Sequence, residues 1–462
     1  MKFDIYCNIP SFDKERIELK KVKFVYDNMT SEIFDDTGKL LEFETEQNKN
    51  YGDIKNFPTV SEKTPLGKSN IETLKIQLGL SCNYSCEYCS QRFVPHVDDS
   101  NMKFVDKFID NMDSWLKEEP KEIEFWGGEP FAYYKIMKPL AEKLREKFPN
   151  SKFLVITNGS LLTYEIIDWL EELNFNIGIS HDGPGQKVRG PDPFDDPKQK
   201  DIILTLYHRF RLKNRVSFNS MIHRENMDRA KIQQFFIDFT GDKNVIIGEG
   251  AFIDAYDEGG IKNSLQDRKD ELAFRRLTMH QLIDETNYNF SVVNKRMVEL
   301  INSFKNRRPA RLLGQKCGMD NEKAIAVDLR GNVLTCQNVS AASTAPNGRS
   351  HLIGHVSKLD KVQLNTATHW SFRKECMGCP VLQSCKGSCM FLQKELFDVS
   401  CNNAYSDHIP FFAAAFEAVT GAMPYAVIPQ ENEEEFPASR ADIWGPSDFD
   451  AKPPKVREEI NV

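Results

Sequence analysis

The sequence predicts an α/β protein: a parallel sheet with crossover helices, preceded by a small β-rich region and followed by a cysteine-rich one. Three observations predict it. From residue 71 onward six short apolar runs alternate with helical patterns, the mark of a parallel sheet. Polar and glycine-bearing motifs follow those runs in consecutive units, where α/β folds gather their chemistry. The eleven cysteines fall on either side of a cysteine-free middle, residues 90–316.

Composition narrows the field. The chain has 462 residues, 40% of them hydrophobic, enough for two or three domains with a sizeable core. The formal net charge of −8 argues against a nucleic-acid partner held by phosphate contacts. No apolar run approaches the length of a membrane span, and Met1-Lys2-Phe3-Asp4-Ile5-Tyr6 lacks the apolar core of a signal peptide. A cytoplasmic protein with no membrane partner is expected. In a reducing compartment, clustered cysteines point to metal rather than to disulfides.

Residues 1–70 read as a small β-rich region and linker. Lys20–Tyr26 alternates as a strand does, Asp35-Asp36-Thr37-Gly38 is a turn, and Lys39–Phe43 is its partner. Residues 44–67 are polar, carry Pro58 and Pro65, and read as a linker. Cys7 stands alone and reads as a buried thiol. The expected strands of the sheet are Leu74–Leu80, Glu122–Trp126, Phe153–Thr157, Asn176–Ser180, Val216–Ile222 and Val245–Ile247. Helical patterns at Phe104–Lys117, Tyr133–Lys147, Tyr164–Leu173, Asp201–Leu212 and Arg229–Phe239 separate them, and Arg268–Thr286 and Val292–Asn306 follow. Right-handed crossovers in one direction curl such a sheet toward a barrel, left open because six units fall short of eight. Periodicity alone admits an open doubly wound sheet equally.

The stretch Cys82-Asn83-Tyr84-Ser85-Cys86-Glu87-Tyr88-Cys89 follows the first strand. Three thiols so spaced can wrap one face of an iron–sulfur cube but leave one iron with a vacant position. A zinc loop completed by a distant His or Cys also fits the spacing. Gly127-Gly128-Glu129-Pro130 follows the second strand and Thr157-Asn158-Gly159 the third. Ser180-His181-Asp182-Gly183-Pro184 follows the fourth, with Arg189 shortly after, and Asn219 and Ser220 lie on the fifth. Four polar sets on one rim read as a ligand site. The general base is not identifiable from sequence; His223, Glu249 and Asp254, near the ends of strands five and six, are the candidates.

From Ile71 to about Asn306, the order of these motifs resembles that of the radical S-adenosylmethionine (SAM) enzymes, as does the aromatic Tyr88 just before the third cysteine. The resemblance implies a partial (β/α)6 TIM-like barrel. It implies that Cys82, Cys86 and Cys89 bind a 4Fe–4S cluster whose open iron chelates SAM. It assigns Gly127, Gly128 and Glu129 to the methionine ammonium, Ser180, Asn158 and Ser220 to the ribose or carboxylate, and Tyr88 to the adenine.

Cys317, Cys336, Cys376, Cys379, Cys385, Cys389 and Cys401 crowd into residues 317–401, a strong signal for metal, with two zinc sites as the alternative. Asp328-Leu329-Arg330-Gly331-Asn332 reads as a turn between the strands Ala324–Val327 and Val333–Thr335. The pattern resembles the SPASM extension of radical SAM proteins, which implies two auxiliary iron–sulfur clusters and three in all. By that resemblance Cys376, Cys379, Cys385 and Cys401 complete one. Cys317, Cys336 and Cys389 hold the other, one thiol short, with an open iron or a ligand such as Asp320 or a substrate atom. Sulfatase-maturating relatives place an Asp base directly after the cysteine that matches Cys336. Here the residue is Gln337, whose amide takes no proton at neutral pH, so formylglycine formation by that route is disfavoured.

The resemblance further implies a radical SAM oxidoreductase that modifies a ribosomally made precursor peptide, crosslinking or oxidising a residue. A reductant such as flavodoxin or ferredoxin and a separate leader-recognition protein would be its partners. A dehydrogenase of small molecules and a protein-maturating oxidase are the alternatives. Ile409–Thr420 reads as a helix after Pro410, and from residue 430 an acidic mobile tail is expected, with Trp444 docked somewhere. The expected division is 1–70, the barrel 71–307, the cysteine-rich domain 308–410, and helix plus tail 411–462.

Overall fold

The computed structural model describes residues 1–13, 16–44, 67–96, 101–248, 250–364, 368–431, 434 and 436–445. Most of the expected linker and the end of the tail lie outside them, as does Glu249. Among the described residues no helix is long and apolar enough to cross a membrane.

A four-stranded antiparallel sheet is built first. Strands β1 (Lys2–Asp13) and β2 (Arg16–Asp27) pair along their full length, from Lys2↔Asp27 to Asp13↔Arg16. Strand β3 (Glu32–Phe34) joins β2, and the Asp35–Gly38 turn follows as expected, with Asp35 Oδ1 accepting from the Thr37 and Lys39 N–H groups. Cys7 is fully buried in β1 opposite Val22, away from the other thiols in the role of a small hydrophobe.

The main sheet has the order β11-β10-β9-β4-β5-β6-β7-β8. Strands β4 (Thr73–Gln77), β5 (Glu122–Trp126), β6 (Lys152–Thr157), β7 (Phe175–Ser180) and β8 (Val216–Asn219) pair in parallel, each with the next. Between them run the helices Met102–Trp115, Tyr134–Lys147, Tyr164–Glu172 and Pro197–Arg211. Phe125, Phe153 and Phe175, from three neighbouring strands, meet with ring centroids 5.3–5.4 Å apart. Such strands are covered on both faces, which is why they read as apolar runs. The expected sixth strand is reduced: Ile247 makes isolated parallel bridges to Phe218 and Phe290. The other edge is extended instead. Strand β9 (Ala324–Asp328) pairs in parallel with β4 and turns back through β10 (Asn332–Leu334) and β11 (Leu352–His355). The cysteine-rich region is thus continuous with the sheet.

Two C-terminal expectations are corrected. The helix starts at Lys394, not after Pro410, and runs through the proline to Thr420. Burial outweighs the missing N–H there: Phe411, Phe412 and Phe416 are fully buried, and Phe412 packs on Tyr26 and Phe304. Beyond it, β12 (Met423–Pro429) pairs with β1, closing the N-terminal sheet. The segment 436–445, expected to be mobile, is packed. Trp444 Nε1 donates to the Pro424 carbonyl, and Arg268 Nη2 donates to the Asp442 carbonyl at 2.6 Å.

Candidate functional site

At the carboxyl ends of β4–β8 lies a cleft of about 760 Å³. Its walls include the thiol loop (Cys82, Cys86, Cys89), Tyr88, Gly127–Glu129, Asn158, Ser180, Arg189 and Asn219. Asp254, Tyr256, Lys316, Gln337 and Asn338 line the same cleft. One space therefore touches both cysteine-bearing regions.

The rim is locked by close backbone approach. A Cβ on Gly128 would lie 2.4 Å from the Leu80 and Ser81 carbonyl oxygens, so only glycine fits. The Gly128 and Glu129 N–H groups donate to the Gly79 and Ser81 carbonyls, both at 3.0 Å. Glu129 is buried, and its carboxylate is largely committed. Oε1 accepts from the Phe131 N–H at 3.1 Å and the Thr157 hydroxyl at 2.7 Å, and Oε2 from the Asn158 N–H at 2.8 Å. Burial raises its pKa, and these donors oppose the rise. Asn158 in turn donates to Asn83 Oδ1 at 2.9 Å, tying the third strand's loop to the thiol loop.

A second network backs the thiol loop. The Tyr88 hydroxyl donates to Asp182 Oδ2, and Arg189 Nη1 donates to that hydroxyl at 2.8 Å. Asp182 Oδ1 lies 3.4 Å from Arg189 Nη1 and accepts from the Met221 N–H at 2.9 Å. One fully buried carboxylate thus joins the ends of β7 and β8 to the loop that carries Cys86 and Cys89.

Two expected site residues are corrected. Ser220 is fully buried, does not line the cleft, and its hydroxyl has no partner. Side chains alternate along a strand, and Asn219 and Met221 take the cleft face. His223 is also fully buried, behind Tyr88 with ring centroids 5.9 Å apart; neither ring nitrogen has a hydrogen-bond partner, and Nε2 lies 3.9 Å from Asp182 Oδ2. Burial lowers its pKa. Of the described base candidates, Asp254 alone reaches the cleft. It accepts from the Ser388 hydroxyl and lies 3.9 Å from Lys316 Nζ.

The ten remaining thiols gather into three sets, joined by mutual electrostatic influence. Cys82, Cys86 and Cys89 form one, Cys317, Cys336 and Cys389 a second, and Cys376, Cys379, Cys385 and Cys401 a third. The third set rings one small pocket walled by Leu382, Phe397 and Ala404. At six cysteines, 82, 89, 317, 336, 379 and 389, the N–H two residues ahead donates to the sulfur. Such donors favour thiolate, the metal-binding form. All eleven cysteines are free of disulfides. Among the described residues no three His, Cys, Asp or Glu side chains converge as a single-ion site requires. Soft thiolates spread around pockets suit iron–sulfur clusters.

Around the second set, Asp320 lies near enough to Cys317 to act on it electrostatically. Its buried carboxylate accepts from the Gln315 N–H at 2.8 Å through Oδ2, which also lies 3.2 Å from His369 Nε2; Oδ1 has no partner. Tyr256, which the sequence did not reveal, hydrogen-bonds the Cys389 sulfur and faces the cleft. The segment carrying Asp254 and Tyr256 hangs on the Lys394–Thr420 helix: Ala255 N–H donates to Ser400 Oγ at 2.7 Å, and Phe252 N–H to Asp407 Oδ2 at 3.3 Å.

Fold and rim together define a radical SAM domain. Residues 76–236 match the model of the Radical SAM superfamily, and the C-terminal cysteine-rich region fits the SPASM extension. Residues 76–236 are thus a radical SAM domain, a class of domain that takes SAM and a 4Fe–4S cluster. Over 194 residues it is 25% identical to the radical SAM cyclopropyl synthase TigE of Paramaledivibacter caminithermalis, covering 38% of this chain and 40% of that one. Over 125 residues it is 31% identical to the serine-type anaerobic sulfatase-maturating enzyme of Bacteroides thetaiotaomicron, covering 23% and 28%. The chain thus spans less than half the length of each of these relatives. A solved structure of anSMEcpe with bound AdoMet and the Cp18Cys peptide superposes with a TM-score of 0.54 at 18% identity, over 76% of this chain and 98% of that one. A histidine-tagged form with bound AdoMet gives 0.55 at 18%, with the same coverage. These structures share the fold.

Proposed function

We propose that the chain is a peptide-modifying radical SAM oxidoreductase. Cys82, Cys86 and Cys89 hold the SAM-binding cluster, and the two C-terminal thiol sets hold one auxiliary cluster each. The observation that carries this reading is the shared cleft, which has the thiol loop on one wall and Asp254, Tyr256, Lys316, Gln337 and Asn338 on the other. When bound, cluster and SAM supply a 5′-deoxyadenosyl radical that takes a hydrogen atom from an unactivated C–H.

The chain's own residues orient and enclose. The Gly127–Gly128 backbone and the remaining lone pair of Glu129 suit an ammonium group, and Asn158 and Ser180 offer hydrogen bonds from neighbouring strand ends. Tyr88, braced by Arg189 and Asp182, gives a fixed aromatic wall. Holding both reactants in one cleft supplies the orientation that a hydrogen transfer needs. Opposite, Lys316 and the amides of Gln337 and Asn338 suit a peptide backbone, and Asp254 suits a proton released from the substrate. Gln337 stands where a sulfatase-type base would be needed, so a different oxidation or a crosslink is the fitting product. An external reductant such as flavodoxin or ferredoxin supplies electrons.

The experiment is anaerobic reconstitution followed by incubation with SAM and dithionite. 5′-Deoxyadenosine is expected, and the C82A/C86A/C89A variant should make none while losing about 4 of about 12 irons per chain. An unchanged product yield or iron count in that variant would sink the assignment.

A further inference from the structure

Arg440 sits in the short helical turn Ala438–Ala441, and its side chain is buried against the third thiol set. Nη2 donates to Cys401 Sγ at 3.2 Å and to Asn402 Oδ1 at 2.9 Å. The guanidinium lies 5.0 Å from the centre of the Tyr405 ring, and the Arg440 carbonyl accepts from the Tyr405 hydroxyl at 2.7 Å. Its position is built from outside: Arg275 Nη1 donates to the Ser439 carbonyl at 3.1 Å, and Arg268 holds the Asp442 carbonyl. Among the described residues no carboxylate pairs with Arg440. Nε is buried without a partner. A buried cation needs a counter-charge, and the nearby groups that can carry one are the thiolates of Cys401 and Cys379.

We propose that Arg440 is a positioning residue that tunes the third thiol set: its guanidinium, bonded to Cys401, raises the reduction potential of the cluster held by Cys376, Cys379, Cys385 and Cys401. The inference rests on the reading that this set binds a 4Fe–4S cluster. Adding one electron takes such a cluster from a net 2+ core to 1+. With four thiolates the reduced site carries one more negative charge, which a fixed adjacent cation and a hydrogen bond to sulfur both stabilise. Outer-shell donors act on metal sites in this way. The same turn, delivered by residues after β12, walls a groove of about 870 Å³ that Cys401 also lines.

The test uses the full chain in a C82A/C86A/C89A background, reconstituted anaerobically and titrated with dithionite while the reduced-cluster EPR signal is followed. Arg440→Gln is expected to keep its iron and sulfide and to shift one midpoint to more negative potential, with Arg440→Lys between it and the parent. A midpoint in Arg440→Gln equal to or above that of the parent overturns the proposal. Should Arg440→Gln lose iron, the parent protein labelled with 15N-arginine decides. A 15N hyperfine coupling to the reduced cluster, absent in Arg440→Lys, supports the bond, and its absence in the parent refutes it. Failure of the underlying reading looks different: iron would then be unchanged in the C376A/C379A/C385A/C401A variant.

Discussion

Asp407 offers the sharpest test of how the cleft is held. It is buried in the Lys394–Thr420 helix between two buried guanidiniums, with Oδ1 2.5 Å from Arg229 Nη2 and Oδ2 2.7 Å from Arg296 Nη1. Arg229 also donates to the Gly250 carbonyl at 2.5 Å, so the triad fixes the segment that carries Asp254 and Tyr256. Removing one partner of a buried pair costs roughly 3–5 kcal/mol. Here two cations are stranded at once, so Asp407→Asn should lie at the upper end, about 5 kcal/mol. The triple change R229M/D407L/R296M should recover most of that loss, because no charge is left unpaired. Burial pushes the Asp407 carboxyl up, but Arg229 and Arg296 overcome it and hold it well below the usual carboxylate range. A depressed folded-state pKa gives stability that is fully present above the unfolded value of about 4 and lost as pH falls below it. Urea unfolding of the apo chain at pH 7 and at lower pH reads the effect, and hydrogen exchange localises it to 250–256 and 394–420. A loss under about 1 kcal/mol, or a loss that does not shrink as pH falls, would refute the reasoning.

Other substitutions probe the rim. Gly128→Ala puts a methyl 2.4 Å from two carbonyl oxygens; it should cost the Cys82/Cys86/Cys89 iron selectively, read by iron analysis against the other sets. Tyr88→Phe removes the hydroxyl between Arg189 and Asp182 and should weaken SAM binding about tenfold, near 1.4 kcal/mol, measured by equilibrium dialysis at unchanged iron content. Asp254→Asn should leave SAM cleavage within about threefold of the parent, a difference under 1 kcal/mol, while abolishing peptide product. Equal loss of both would move Asp254 from substrate chemistry to structure.

Much of this was legible in the sequence because it is local. Strands β5, β6 and β7 match their apolar runs to within a residue, and the glycine and thiol motifs fall on one rim because each sits just after a strand. What is non-local was not legible. The pairing of β1 with β12 joins chain positions some 420 residues apart, which no window of sequence reports. Ser220 fails by parity, one residue from Asn219 and Met221, both of which face the cleft. His223 fails because polarity near a strand end does not say which face it takes. Tyr256 and Lys316 reach the cleft only after the Lys394–Thr420 helix pulls 250–256 inward and β9 brings the second module against β4. Arg440 belongs to the same class, since its contact with Cys401 depends on the packed segment after β12.

The central claim is that a peptide and SAM meet in the one cleft. The direct measurement is isotopic. The reconstituted chain is incubated with SAM, dithionite and a perdeuterated candidate precursor peptide, and the 5′-deoxyadenosine is analysed by mass spectrometry. The account predicts one deuterium per molecule, transferred from a side chain that is then found oxidised or crosslinked, and loss of that transfer in C82A/C86A/C89A. 5′-Deoxyadenosine that forms at full rate without deuterium across peptides, but gains deuterium from a small-molecule substrate, would contradict it.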